Sequence, residues 1–472
     1  MRAAWTVLAL LAVVTLTGCG AGPSPGDTVN VVVGYQSKTI NTVTAGTLLR
    51  SLGYFEQRLR ELGQRTGKNY SVTWQDYDTG APITAQMIAD KIDIGSMGDY
   101  PLLINGSRTQ AKGPNGTRMV SVTGYNLRGA LNMVVVSPQS DAQTLRDLQG
   151  KKVSTSVGSA AHGTLVQALR AAGVDPVSGV HVENQQPSVG ASALQGGNVA
   201  GLSQFVAWPG ALVFAKAARL LYDGAQLNVP TLHGVVVRNP FATEHPDVLD
   251  AFLRAQLDAT RYLHEHPLAA AQNVAQATGL PAEVVYLYNG PNGIATFDPT
   301  IKPPLREALK RDVPFLASIG NIKELNVDAF INDSHLRRVY GPAYDTDLGS
   351  TANPSRISGT DSECGRPVDD PASAGEIWLQ GEDSTHPAAT PTCLLKFVRS
   401  AQAAGKKVRV AYVPDASTGT RWFADHMVWV DDRQAAAQTR FLPFATEAGA
   451  RDYLRAHPGA VQMSYPDAAA AA

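Results

Sequence analysis

Asp78, Thr79 and Gly80 form the first triplet in this chain whose residue types could carry out covalent chemistry. An Asp-Thr-Gly triplet can supply one carboxylate of a proton-sharing pair that cleaves peptides. That chemistry needs two carboxylates about 3 Å apart, hence two copies of the triplet. The sequence carries one, so the triplet reads as a turn that opens a helix. There is no His-Glu-x-x-His and no Walker loop, Gly22-Pro23-Ser24-Pro25-Gly26 falls in the Pro-rich tether rather than on a strand-to-helix elbow, and catalysis is not expected.

Three loops point instead to binding. Residues 78–82, 96–99 and 156–163 each combine Gly with Ser or Thr directly before a helical pattern. Small side chains let a ligand approach the unpaired N–H groups of a helix start, whose partial positive charge favours an anion. Any one of these loops can equally be an N-cap and nothing more; three on successive α/β units favour a site. Asp99, ahead of Tyr100-Pro101, reads either as a cap or as a counter-charge to an ammonium or hydroxyl donor of a ligand. His162 falls in a first helical turn, where an imidazolium is disfavoured, so it is expected to act as a neutral hydrogen-bonding group. Trp208 is either core or a stacking platform.

The totals bound the class. The chain has 472 residues, 44% hydrophobic and 17% charged, enough for two or three globular domains. A net charge of −1, from 40 basic and 41 acidic residues, gives no field that would gather nucleic acid, which is not expected as a partner. Arg2 precedes an apolar run over residues 3–16, which suits a signal-peptide core and falls short of the roughly 20 residues needed to span a bilayer. The Leu16-Thr17-Gly18-Cys19 ending resembles a bacterial lipobox. It implies a signal peptide over 1–19, cleavage before Cys19, a lipid on the Cys19 sulfur and a tether over 20–28. The mature chain would then sit outside the cytoplasm, with Cys364 and Cys393 in an oxidising compartment.

The elements that would position these loops follow from patterning. Residues 29–35 are a β-branched apolar run, the mark of a strand buried on both faces. Leu48, Leu52, Phe55, Leu59 and Leu62 share one helical face, and residues 70–74 read as the next strand, completing a βαβ unit. A new series from residue 131 gives a second α/β lobe to about 222, before a buried strand over 232–238 and a mostly helical stretch from Pro246 onward. Residues 346–362 lack periodicity and read as a linker. Beyond them a small α+β module shows strands near 376–380, 408–413, 426–430, 440–444 and 461–465, with helices near 394–404 and 447–456. Residues 468–472 read as a frayed tail.

Over residues 29–341 the chain resembles the nitrate/sulfonate/taurine-type substrate-binding proteins of ABC importers. The residues that carry this are Leu52-Gly53-Tyr54-Phe55-Glu56, the run from Asp93 to Pro101, Gly158 to Gly163, and His245 to Leu253. The resemblance implies an α/β, two-lobe periplasmic-binding-protein-like (type II) fold over 29–345, plus a small C-terminal α+β domain. Lobe 1 would comprise 29–127 and 228–345, and lobe 2 would comprise 128–227. It further implies a small anion or zwitterion of the sulfonate/taurine or nitrate class, delivery to a membrane permease with its ATPase, and no required cofactor. By position the ligand would touch Gln36, Thr79, Gly80, Ser96, Asp99, Ser159, His162 and Trp208. Gly201 departs from the family, which often places an acidic residue near that point. Enzymes of the pyrimidine-precursor type share the fold but would need reactive His and Cys in the cleft, and neither Cys364 nor Cys393 lies in the two-lobe part.

Residues 363–468 resemble the NosL-type copper lipoproteins, through Cys364-Gly365, Tyr412-Val413, Trp429-Val430-Asp431, Phe444 to Ala448 and His457 to Val461. Arg366 stands where that family usually has Met, and the Met-Gly expected near Leu442-Pro443 is missing. Soft copper(I) prefers sulfur ligands, and the candidates are Cys364, Cys393, Met427 and Met463, with His426 as a harder partner. A Cys364–Cys393 disulfide is the preferred alternative, and a domain with neither feature is the third.

Overall fold

The computed structural model describes residues 28–472. The proposed signal peptide, Cys19 and all of the tether before Thr28 lie outside the described residues.

The valine-rich start forms β1 (Thr28–Tyr35), which pairs in parallel along its whole length with β2 (Asn69–Asp76). Between them the expected single helix is two, α1 (Thr47–Leu52) and α2 (Tyr54–Thr66). Gly53 sits at φ +66, a left-handed conformation that ends one helix and starts the next. Leu48, Phe55, Leu59 and Leu62 are all buried, but the break turns the face: Leu48 of α1 packs in one apolar cluster and the three residues of α2 in another, which Leu49 joins from α1. The chain continues through α3 (Gly80–Ile88), β3 (Ile94–Gly98), α4 (Asp99–Thr109) and β4 (Thr117–Asn126), then crosses to the second lobe.

There β5 (Asn132–Val136), β6 (Lys152–Thr155), α5 (Ala160–Ala171), β7 (His181–Asn184), α6 (Pro187–Gln195), β8 (Gly201–Phe205), α7 (Trp208–Phe214) and β9 (Arg219–Asp223) follow. The chain crosses back as β10 (Thr231–Arg238), then runs through α8 (Asn239–Glu244), α9 (Pro246–Glu265), α10 (Pro267–Thr278), α11 (Ala282–Asn289), β11 (Thr296–Phe297), α12 (Pro303–Ser318), α13 (Val327–Phe330), α14 (Ser334–Tyr340) and α15 (Tyr344–Gly349). Lobe 1 has the sheet order β11-β4-β10-β3-β1-β2, and lobe 2 the order β7-β6-β8-β5-β9. Each sheet has a parallel heart, β2-β1-β3 and β7-β6-β8, closed by antiparallel strands after the crossover.

The C-terminal unit adds the hairpin β12 (Thr360–Asp361) with β13 (Arg366–Pro367), and a sheet of β14 (Gly375–Leu379), β15 (Thr385–Ala388), β16 (Val408–Pro414) and β17 (Arg421–Phe423). A second sheet holds β18 (Val428–Asp431), β19 (Phe441–Phe444) and β20 (Val461–Met463). Helices α16 (Pro391–Ala403), α17 (Glu447–Ala456) and α18 (Tyr465–Ala471) pack beside them. The expected frayed tail is α18, capped by Ser464 and anchored by buried Ala468 and Ala469; small side chains let it lie close to α16 and β18. Residues 350–357 are also tied down. Asn292 donates its backbone N–H to Ser355 O at 2.9 Å and accepts the Ile357 N–H at 2.7 Å, and Ile357 is buried against Val368, Ala374 and Ala389.

This unit is not a free appendage. Its buried Trp378, Trp422 and Trp429 belong to one apolar cluster that runs on through α10 and α11 into lobe 2. Cys364 and Cys393 are joined in a disulfide that spans 29 residues of sequence. By the chain-entropy account a loop of that size is worth about 3 to 4 kcal/mol. Reduction is therefore expected to lower the urea midpoint of the C-terminal tryptophan signal, read by fluorescence with and without a thiol reductant. An unchanged midpoint would show that the bond constrains nothing.

Candidate ligand-binding site

The carboxyl ends of the parallel strands of the two sheets face each other, the edge at which open α/β sheets take ligands. The lobes touch across this edge. Tyr100, in the first turn of α4, accepts a hydrogen bond from Gln167 of α5 at 2.9 Å, and Ala207 donates its N–H to Lys38 O at 3.3 Å. The Lys38 ammonium lies 5.7 Å from the centre of the Trp208 ring, so Trp208, half-buried at the start of α7, meets lobe 1 through a cation as well as through core contacts.

On the lobe 1 side, Gln36 follows β1 and is 3% exposed; its amide donates to Ser96 O at 3.2 Å. Ser96 lies in β3 with its hydroxyl buried and unpartnered. Thr79 is the N-cap residue of α3 but makes no side-chain cap bond. Gly80 is packed rather than open: a Cβ there would lie 2.7 Å from Pro101 Cβ and 3.0 Å from Met97 Cβ, so the starts of α3 and α4 touch. That close approach is a structural demand on Gly80, and only its backbone N–H is left for a ligand.

Asp99 is not the N-cap residue of α4. Gly98 is the N-cap of α4, and Asp99 is completely buried. One carboxylate oxygen accepts the Tyr100 N–H at 2.8 Å and the other accepts the Leu232 N–H at 3.1 Å. Leu232 is 133 residues away in sequence, in the returning strand β10, so Asp99 ties a helix start to the crossover. Burial pushes its carboxyl up to about 7, against the pull of its N–H donors, and burial likewise raises the nearby Asp312. A carboxyl whose folded pKa is raised favours the fold when protonated, so its contribution is full below about pH 4 and is lost as pH rises through 7. Asp99→Asn is expected to flatten that decline, with a remaining slope from Asp312, in urea midpoints taken from about pH 5 to about pH 8. Equal slopes in both proteins would contradict it.

On the lobe 2 side, Ser159 caps α5 by accepting the His162 N–H at 3.3 Å, and Ser203 donates to Ala161 O at 3.0 Å, fixing the helix start against β8. His162 accepts the Gly158 N–H on Nδ1 at 3.4 Å, which leaves the ring proton on Nε2. Burial lowers its pKa, so at neutral pH the ring is an uncharged donor, the form the sequence led us to expect.

Sequence reasoning missed several neighbours of this edge. Gln204, next to last in β8, donates to Ser156 Oγ at 3.0 Å and leaves its own oxygen buried without a partner. Asn132, at the start of β5, has both ends of its amide buried and unpartnered, and so has the hydroxyl of Thr155 at the end of β6. Asn41 pairs its amide nitrogen with His233 Nδ1, and its oxygen is unpartnered. The available signal was a polar residue at the end of an otherwise apolar strand, as in Gly201-Leu202-Ser203-Gln204-Phe205.

The copper candidates are placed differently. With Cys364 and Cys393 joined to each other, neither is a thiolate, while Met427 and Met463 pack with the apolar cluster and His426 sits against the Phe423 ring. Asp361 lies beside the disulfide, with ligand atoms of the three residues within 4.8 Å of one another. Its oxygens already accept N–H groups from Glu363, Cys364 and Ala389.

Residues 103–270 match the family model described as NMT1/THI5 like. The chain is 25% identical over 303 residues to the taurine-binding periplasmic protein of Escherichia coli (strain K12), covering 61% of this chain and 90% of that protein. It is 27% identical over 259 residues to a putative aliphatic sulfonates-binding protein of the same organism, covering 54% and 74%. Among solved structures it is similar to the alkanesulfonate-binding protein SsuA from Xanthomonas axonopodis pv. citri bound to MOPS, with a TM-score of 0.52 at 22% identity over 64% of this chain and 98% of that one. It is also similar to the periplasmic nitrate-binding protein NrtA from Synechocystis PCC 6803, with a TM-score of 0.52 at 13% identity over 70% and 93%. The two-lobe part of this chain thus has the fold of the periplasmic binding proteins, and residues 103–270 within it match the NMT1/THI5-like model.

Proposed function

We propose that the chain is the extracytoplasmic solute-binding component of an ABC importer, that it closes its two lobes over a small anion, and that it delivers the anion to a permease and ATPase without catalysis. The observation that carries this reading is the set of buried, unpartnered polar atoms along the facing strand ends, Ser96 Oγ, Asn132, Thr155 Oγ1 and Gln204 Oε1, with Asn41 Oδ1 from the short helical turn after β1. Each buried polar atom without a partner costs about 1–3 kcal/mol, and a ligand or water taken into the cleft repays part of it. Neutral donors, among them His162 Nε2 and the starts of α3, α4 and α5, surround the same edge, a setting that suits an anion with several acceptor oxygens.

Within the sulfonate/taurine or nitrate class we favour a sulfonate, whose three oxygens fan out pyramidally and can reach donors on both walls, where those of planar nitrate lie in one plane. Asp99 is spent on backbone N–H groups, so an ammonium on the ligand finds no counter-charge there. A simple alkanesulfonate is therefore expected to bind at least as tightly as taurine. A thermal-shift panel of ethanesulfonate, taurine, nitrate and bicarbonate tests this. A ligand at 100 times its Kd adds about 2.7 kcal/mol of stability. Stabilisation by none of the four would overturn the proposal. Anchoring through a lipid on Cys19 completes the reading, and mass spectrometry of the exported N-terminal peptide tests it.

A second reading, copper handling by the C-terminal unit, draws on the Asp361, Cys364 and Cys393 cluster. It requires the disulfide to be reduced first. Thiol titration of protein taken from its export compartment decides it, since no free thiol before reduction excludes a copper(I) dithiolate.

A further inference from the structure

The two lobes are connected by two crossovers, residues 127–131 and 224–230, and any rotation of one lobe against the other must twist both. The crossovers press together at a pair of glycines. A Cβ on Gly129 would lie 2.9 Å from Gly224 O, and one on Gly224 would lie 2.4 Å from Gly129 O. Side chains at either position would force the strands apart, so the hinge is built as a backbone-on-backbone crossing.

The C-terminal unit reaches this crossing from outside, through the turn 415–420 between β16 and β17. Arg128, in the first crossover, donates to Thr418 O at 2.6 Å. Asp223, at the end of β9 and entry to the second, is 2% exposed; it accepts the hydroxyls of Thr418 at 2.8 Å and Thr420 at 2.6 Å, and the Ala225 N–H at 2.9 Å. The turn is stiff in its own right. Asp415 accepts the N–H groups of Ser417 and Thr418 on one oxygen, at 2.8 and 2.7 Å, and the Ala445 N–H on the other at 2.5 Å. One rigid turn therefore grips both hinge strands at once.

We propose that the C-terminal unit is a brace on the hinge, with Thr418 and Thr420 as positioning residues that hold the crossovers in the arrangement that brings the lobes together. The solute-binding proteins similar to this chain are spanned almost end to end by its two-lobe part: 64% of this chain covers 98% of the SsuA structure. The brace is thus an addition to a unit whose fold is complete without it. Coupling is reciprocal: whatever loosens the C-terminal unit opens the lobes, and lobe opening strains the turn.

The test uses the full chain without added solute, so its outcome is independent of which ligand the cleft takes. Spin labels carried on unnatural amino acids at Gln64 and Val177, both exposed and in different lobes, report the interlobe distance by pulsed electron resonance and leave the disulfide untouched. The parent is expected to give one narrow distribution. Thr418→Val with Thr420→Val removes the two hydroxyls at nearly constant volume and is expected to raise the population at altered distance about tenfold. A folded double variant with the parent distribution overturns the brace. Arg128→Met removes only the bond to Thr418 O and is expected to give a smaller shift of the same kind. If the double variant does not fold, Arg128→Met decides alone, and a parent-like distribution again overturns the proposal.

Discussion

Glu376→Ala is expected to lower the unfolding free energy by about 3–5 kcal/mol, the largest single-site effect in this chain. Glu376 and Arg421 are 6% and 5% exposed at their side chains and pair at 2.8 Å. The other Glu376 oxygen accepts the Tyr286 hydroxyl at 2.9 Å and the Thr385 hydroxyl at 2.6 Å. The guanidinium also lies between aromatic rings, 5.2 Å from the centre of Tyr286 and 4.3 Å from that of Tyr412, and reaches Pro291 O. Truncating the acid strands a buried cation and leaves two hydroxyls without their acceptor. Tyr286 belongs to α11 of the two-lobe part, so the loss falls on the joint between the two units. Urea unfolding followed by tryptophan fluorescence measures it. Glu376→Gln keeps an acceptor for the hydroxyls and is expected to lose less. A loss below about 1 kcal/mol for the alanine variant, the scale of an exposed pair, would show that the units are not joined through this network.

The second large effect is on binding rather than stability. Gly163, in the first turn of α5, faces Tyr100 across the cleft; a Cβ there would lie 1.8 Å from Tyr100 Cε2 and 2.5 Å from its hydroxyl oxygen. Tyr100 has little room to yield, being 3% exposed, bonded to Gln167 and packed 6.0 Å from the Phe315 ring centre. Gly163→Ala therefore wedges the lobes. The same change favours the helix, since alanine is better than glycine in a helix interior by about 0.8–1.0 kcal/mol. The expected signature is a solute affinity lower by at least about tenfold, or 1.4 kcal/mol, in a chain that still folds without solute. Parent-like affinity would show that closure does not pass through this contact.

Local features carried most of what could be read in advance. The β-branched run at Val31 and Val33 specified a buried strand, because that signal is complete within a few residues. The three Gly and Ser/Thr loops are likewise local, and all three precede helices. Asp99 was ambiguous for the opposite reason: its decisive partner, Leu232, comes from the far side of the second crossover. Asn132 and Gln204 matter through what faces them in the folded sheet, which no local motif announces. The tail at Ala468 was misread because alanine gives no apolar period until another helix lies against it.

The central claim is that the closed cleft takes a small anion through buried neutral donors. Isothermal titration of the mature chain with ethanesulfonate, run beside Gln204→Ala, tests it most directly. The account predicts saturable one-to-one heat for the parent and an affinity at least about tenfold weaker for the variant, which loses a buried group of the cleft wall. No heat with any sulfonate or nitrate, or equal affinity in parent and variant, would contradict it.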